Sequence, residues 1–234
     1  MGAGQRSPSR QKSGKVQVLK NGPYLVSGSI PLSEQTIVRD AAGCPFAWQQ
    51  GKVYPVTEVY SLCRCGRSKT MPFCNGAHVQ AGFDGTETSS RNRYMDTVET
   101  IEGPAITLTD NRPLCVHAGF CDREGGIWNL TRLSDDPERM RTAIEEAANC
   151  PSGRLVVWDK EGRPIEPDFE QSIVLVEEPG EALSGPIWLR GCIPVESADG
   201  ELYELRNRVT LCRCGRSRNK PFCDGSHKAP QKQG

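Results

Sequence analysis

Eight residues in two matching sets concentrate the metal-binding chemistry of this sequence. Residues 62–78 read LCRCGRSKTMPFCNGAH and residues 211–227 read LCRCGRSRNKPFCDGSH, so the spacing Cys-x-Cys-x8-Cys-x3-His occurs twice. One set is Cys63, Cys65, Cys74 and His78; the other is Cys212, Cys214, Cys223 and His227. Residues two apart on an extended chain point to the same side, so Cys63 and Cys65 can reach one metal ion. Residues four apart share a face of a helical turn, which makes Cys74 and His78 a second pair, with Pro72 suited to start that turn. A helix amino terminus there would favour the Cys74 thiolate. Two pairs suit a binuclear iron centre. Three cysteines and one histidine can also hold a structural zinc, although zinc modules usually separate their first two cysteines by two or more residues.

The elements that must position these sets are repeated as well. NGPYLVSGSIPL at 21–32 aligns with SGPIWLRGCIPV at 184–195 at an offset of 163, whereas the metal segments lie 149 apart. The first copy therefore carries 14 extra residues, assigned to a loop around RDAAGCPFAWQQ. Each copy reads as strand, connection, strand (53–62 and 202–211) and metal segment. Neither copy is large enough to make much core alone, so the two are expected to form an intramolecular pseudo-dimer. Between them, Ala105–Leu108, Arg154–Asp159 and Ser172–Val176 read as strands of a compact α+β unit. Asp136 can cap a helix that has Pro137 at its first position, ends near Asn149, and turns Met140, Ile144, Ala147 and Ala148 inward. The expected divisions are a disordered basic tail (1–15), a first β-rich unit (16–91), the middle unit (92–178) and a second β-rich unit (179–234).

The duplicated segments resemble the CDGSH iron-sulfur family, of which mitoNEET is the best-known type. Cys212, Cys214, Ser217, Pro221, Cys223, Asp224, Gly225, Ser226 and His227 match its pattern throughout. The first copy matches through Cys63, Cys65, Ser68, Pro72, Cys74, Gly76, Ala77 and His78, with Asn75 where the family has Asp. Asn keeps an acceptor but removes a charge, so the two sites need not share one redox behaviour. The resemblance implies one 2Fe-2S cluster per segment, the paired cysteines on the inner iron and the third cysteine with histidine on the outer, under a β-rich cap. The middle stretch, with Cys115, Cys121 and Cys150-Pro151, resembles the divergent single-cluster ferredoxin domains that accompany CDGSH segments in some bacterial proteins. Ala118 stands where a standard ferredoxin loop has cysteine. Three thiolates suit a 3Fe-4S cluster; a 4Fe-4S cluster would need a further ligand, with His117 nearest in sequence, although a loop histidine bonded to backbone is an equal reading.

Composition limits the alternatives. Formal net charge is zero, yet residues 84–181 hold 21 acidic and 10 basic side chains while both flanks are basic. A neutral chain without interleaved aromatics is a poor nucleic-acid binder, and no apolar run approaches the ~20 residues of a membrane span. The odd count of eleven cysteines and the two tight Cys-x-Cys pairs favour thiolates on metal in a reducing, cytoplasmic setting over a disulfide scaffold. Cys44 and Cys192 sit among apolar neighbours and are expected to be buried and inert; the four tryptophans are expected to pack rather than to bind a cofactor. No activated nucleophile, phosphate loop or carboxylate pair is present, so an electron carrier or cluster-transfer protein is expected rather than an enzyme. Its partner would be a redox protein or an apo iron-sulfur acceptor, the chain itself a monomer. A zinc-stabilised interaction scaffold is the rival reading. An imidazole ligand must be deprotonated to bind iron, so acid should loosen the outer irons as pH falls through about 6.5.

Overall fold

The computed structural model describes residues 14–178 and 183–229. Residues 1–13 of the expected tail lie outside the described residues, and Lys15 already opens the first strand.

Two sheets carry the duplicated segments. Strands β1 (Lys15–Val18), β2 (Tyr24–Ser27), β3 (Leu32–Arg39), β4 (Pro45–Tyr54) and β5 (Val59–Leu62) come from the first copy, and a four-residue helix, α1 (Ala77–Gln80), follows its metal segment. The middle segment adds β6 (Glu99–Glu102), β7 (Thr107–Asp110), α2 (Ile127–Arg132), α3 (Pro137–Asn149), β8 (Leu155–Trp158) and β9 (Pro164–Ile165). Strands β10 (Ser172–Glu178), β11 (Leu183–Arg190), β12 (Val195–Glu196) and β13 (Arg208–Leu211) complete the chain. The sheet orders are β12-β1-β2-β5, β13-β11-β10-β3-β4 and β6-β7-β8-β9.

The first two sheets exchange strands. β12 runs parallel to β1 with Val16 opposite Val195, and β3 runs parallel to β10 with Leu32 opposite Ile173. Burial alternation pins this register: Val16, Val18, Tyr24 and Val26 are buried and share one apolar core with Ile187, Leu189 and Leu211. A slip of one residue would turn that set to the opposite face. The β-rich, mixed α and β character of the sequence reading is present. Two details differ. The 14-residue surplus is not a loop: it lengthens β3 and β4 into a hairpin, because Gln35 to Val38 pair with Gln50 to Ala47. Strand β10, expected in the middle unit, hydrogen-bonds instead into the five-stranded sheet, where its run Ile173–Val176 is buried between β11 and β3.

The middle segment packs α2 and α3 on the sheet β6-β7-β8-β9, with Leu108, Ile127, Leu130, Ala143, Ala147 and Val157 at its centre. Helix α3 begins and ends as its sequence dictates: the Asp136 carboxylate accepts from the Glu138 N–H at 2.9 Å, and Pro137 takes the first turn. Its buried face is rotated from the expected one. Ala147 is buried, but Met140 and Ile144 pack at the margin while Thr142, Ala143 and Glu146 face inward. Both Glu146 carboxyl oxygens are buried, and burial pushes its pKa from 4.5 up to about 8, offset only in part by the Arg123 charge and backbone. A raised folded-state value means that the stability contribution is complete below the unfolded value and is lost as pH rises through about 8. Glu146→Gln is therefore expected to raise the thermal midpoint at pH 8 and to leave it unchanged at pH 4; a gain of equal size at both, seen by calorimetry, would contradict this assignment.

One side chain ties the middle segment to the second copy. Arg208 on β13 is 1 % exposed. Its Nη1 donates to the Ala147 carbonyl and, at 2.8 Å, to that of Cys150. Its Nη2 donates to the Leu155 carbonyl at 3.0 Å and to the Glu166 carboxylate at 2.5 Å. Cationic donors there satisfy the carbonyls at the end of α3.

Candidate metal centres

Each duplicated set is built by the same backbone contacts. Leu62 bridges to Phe73 and Leu211 to Phe222. The Cys63 N–H donates to the Pro72 carbonyl at 2.8 Å and the Cys74 N–H to that of Ser61 at 2.9 Å; the Cys212 and Cys223 amides repeat this with Pro221 and Thr210. Ser68 and Ser217 tie the intervening turns by donating to the Phe73 and Phe222 carbonyls at 2.6 and 2.7 Å. Pro72 and Pro221 do not start helices as expected. Both follow cis peptide bonds within the turn, and Cys74 lies ahead of α1, which begins only at Ala77. The equivalent turn after Cys223 is a 3-10 turn at Ser226–Lys228.

The resulting side-chain pairs are close. Cys63 Sγ lies 3.8 Å from Cys65 Sγ, and Cys212 Sγ 3.6 Å from Cys214 Sγ. Cys74 Sγ and His78 Nδ1 are 3.4 Å apart, Cys223 Sγ and His227 Nδ1 3.5 Å. Two sulfurs held about 2.3 Å from one tetrahedral metal would lie about 3.8 Å apart, and a sulfur and an imidazole nitrogen about 3.5 Å. Both pairs of both sets therefore fit a metal atom each. Among the described residues, no three His, Cys, Asp or Glu side chains are grouped to hold one metal ion. Gly76 and Gly225 N–H groups donate to Cys74 and Cys223 Sγ, each at 3.5 Å, so the third cysteine faces an amide donor even without the expected helix. The two sets also abut one another. A Cβ on Gly66 would stand 2.9 Å from the Cys214 carbonyl oxygen, and one on Gly215 2.8 Å from that of Cys65. Only glycine permits this approach at their positive φ of 72° and 76°.

Their surroundings differ. His227 is 5 % exposed and burial depresses its pKa to about 4, aided by nearby Lys228 and Arg213. The neutral imidazole thus persists further into acid than the free value of about 6.5 implies. Burial also pushes Cys223 up to about 12. Cys214 is lowered, first by the hydrogen bond from Cys212, whose own value rises as donor. Asp224 accepts from the Ser226 N–H at 3.0 Å and from the Arg218 N–H at 2.9 Å, whereas Asn75 accepts from the Ala77 N–H at 3.2 Å.

The middle cysteines meet at a third place. Cys115, Cys121 and Cys150 line one cavity of about 470 Å³, together with His117, Trp128 and Arg154. Burial, then the adjacent Asp122 charge, pushes the Cys121 thiol up. Against that stands a buried cation: Arg154 forms a two-point pair with Asp110, both contacts 2.6 Å, and directs Nη1 to Cys115 Sγ at 3.1 Å. Trp128 Nε1 donates to the same Asp110 carboxylate at 3.0 Å. The cavity thus brings three cysteines and a buried positive charge to one lining.

Comparison with known families agrees with this geometry. Residues 21–79 and 184–228 match the family described as iron-binding zinc finger, CDGSH type, and residues 101–160 match a divergent 4Fe-4S mono-cluster family. The chain carries two CDGSH segments around a ferredoxin-like one. No curated protein and no solved structure matches it. Proteins of these families are electron or cluster carriers and are not catalysts. Among the described residues, no helix is long and apolar enough to cross a membrane.

Beside the CDGSH motifs, several placements were not visible in the sequence. Asp224 of the second motif lines the cavity of the middle cysteines. His117 lines it too, with a positive φ of 56°, but its ring rests on Gly225: a Cβ there would stand 2.2 Å from His117 Cδ2. Trp128 is therefore a wall of a site as well as a packing residue. Cys192, expected to be buried, is exposed in the turn after β11, and Cys44 is half-buried at the β3–β4 turn; turns place them outside the apolar face that their neighbours form.

Proposed function

We propose that this chain is an iron-sulfur carrier with two 2Fe-2S sites and a third 3Fe-4S or 4Fe-4S site, serving electron transfer or cluster delivery. The observation that carries this reading is the repeated pairing of donors, two sulfurs in one pair and a sulfur with Nδ1 in the other, at single-metal distances in both CDGSH segments. Cys63 and Cys65 would hold one iron, Cys74 and His78 the other; Cys212 with Cys214, and Cys223 with His227, would do the same. The strand exchange and the glycine contacts support an intramolecular pseudo-dimer of the two CDGSH units, with a boundary near residue 170 placing β10 in the second. Cys115, Cys121 and Cys150 would hold the third group, and His117, which lines the same cavity, would be a further donor. When bound, such clusters supply reversible one-electron chemistry, at a potential raised where imidazole replaces thiolate. The protein's own contribution is to keep the thiolates paired, to shield the second set, and to balance charge through Arg154. The partner would be a redox protein or an apo iron-sulfur acceptor.

Metal and acid-labile sulfide analysis of the purified chain tests this. The expected result is a red-brown protein with roughly four irons from the paired sites and about three or four from the middle one. A colourless protein with stoichiometric zinc would establish the scaffold reading instead.

A further inference from the structure

We propose that the Cys74–His78 end of the first CDGSH segment is the chain's open face, shaped for an acidic protein partner, while the second set is sealed by the rest of the molecule. This rests on the reading that both sets hold clusters. The two sets share spacing and internal distances, so the difference lies in what surrounds them.

Around the first set, none of the described residues lies within 4 Å of where a Cβ on Gly76 would stand. Asn75 is exposed and Val79 is 74 % exposed. Around the second, the same construction on Gly225 meets His117 at 2.2 Å and the Cys115 carbonyl at 3.3 Å. Cys223 is 2 % exposed and packs with Val116, Ala118 and Phe120 of the middle segment. Trp48 of β4 closes this cover, its ring 4.8 Å from Phe120 and 5.2 Å from Trp188. Pro45, at the start of β4, supports it from the side, 3.1 Å from where a Cβ on Gly119 would stand. The hairpin that is surplus in the first copy therefore shields the second copy's site.

The rim of the open set has a definite charge. From Arg64 to Phe83 the sequence has no Asp or Glu; Arg67 and Lys69 are exposed, and Met71 between them and Cys74 is 41 % exposed. A basic rim beside exposed apolar side chains is complementary to an acidic surface with an apolar centre. The second copy also has exposed basic side chains, Arg216 and Arg218, but its buried Cys223 and His227 lie beneath the cover rather than at an open rim. Arg216, the counterpart of Arg67, is bound to the His227 and Ala229 carbonyls at 2.9 and 3.0 Å, and Asp224 adds a carboxylate.

Matched substitutions test the proposal. Lys69 and Arg218 occupy equivalent positions and both are exposed. In calorimetric titration of the loaded full chain with a plant-type ferredoxin, used as a small acidic redox protein, binding is expected at low salt and lost at high salt. Lys69→Glu should weaken it about tenfold and Arg218→Glu less than about twofold. A chelator is expected to bleach the unmodified protein's 2Fe-2S absorbance in two phases, with Trp48→Ala speeding the slow phase about tenfold and Trp48→Phe leaving both phases as they were. Absence of binding at low salt, equal weakening by both charge reversals, or a single bleaching phase would overturn this inference alone. An iron-free protein would overturn the cluster reading on which it rests.

Discussion

Replacing Arg208 by leucine is expected to lower the unfolding free energy by about 3–5 kcal/mol, the usual cost of removing one partner from a buried charged network. The guanidinium is 1 % exposed and holds the Ala147, Cys150 and Leu155 carbonyls together with the Glu166 carboxylate. Leucine fills part of the space but donates to none of them, so buried carbonyls lose their partners. The consequence should extend to chemistry, because the Cys150 carbonyl is one of those anchored groups. Equilibrium denaturation with iron analysis checks both: the expected variant is less stable and has lost middle-site iron, while a change below about 1 kcal/mol would show that the joint is not structural.

Arg154→Leu should have an effect of similar size on stability, about 3–5 kcal/mol, and a sharper one on the middle site. Its removal leaves the Asp110 carboxylate, 5 % exposed, with Trp128 as its remaining side-chain donor among the described residues. It also removes the cation 3.1 Å from Cys115 Sγ, just where three thiolates and their cluster would concentrate negative charge. The expected variant lacks the middle site's iron and keeps that of the CDGSH pairs. Arg154→Lys keeps the charge and loses the two-point fork, so it should fall between wild type and Arg154→Leu in both respects. Equal loss of iron from all sites would indicate global unfolding rather than the local role assigned here.

The parts of this molecule readable from sequence are those written in local spacing. Cys-x-Cys and Cys-x3-His pair their side chains over short spans of chain, the first in the bend just past the end of β5 and of β13 rather than on the strand itself, and α3 is announced by Asp136 and Pro137. What sequence did not reveal depends on partners far away in the chain. The exchange of β1 with β12 and of β3 with β10 joins residues more than a hundred apart, and nothing in either strand names its neighbour. The β3–β4 hairpin was obscured because Gly43, Cys44 and Pro45 read as a loop, although the flanking residues pair. Glu146 and Arg208 are charged residues whose burial follows from tertiary packing alone. Pro72 was misread for a related reason: a proline before a Cys-x3-His spacing fits a helix start, whereas here it shapes the turn that brings Cys74 back to Ser61. The asymmetry of the two sets had one sequence signal, Asn75 against Asp224. Its larger cause, the cover made by Trp48 and Phe120, did not.

Mössbauer spectroscopy of the chain grown with iron-57 tests the central claim most directly. For each CDGSH segment the account predicts two distinct doublets of equal area, one from an iron held by two sulfurs and one from an iron held by a sulfur and an imidazole, beside the signal of the middle site. Spectra containing only sulfur-ligated irons, or protein that binds zinc and no iron, would contradict it.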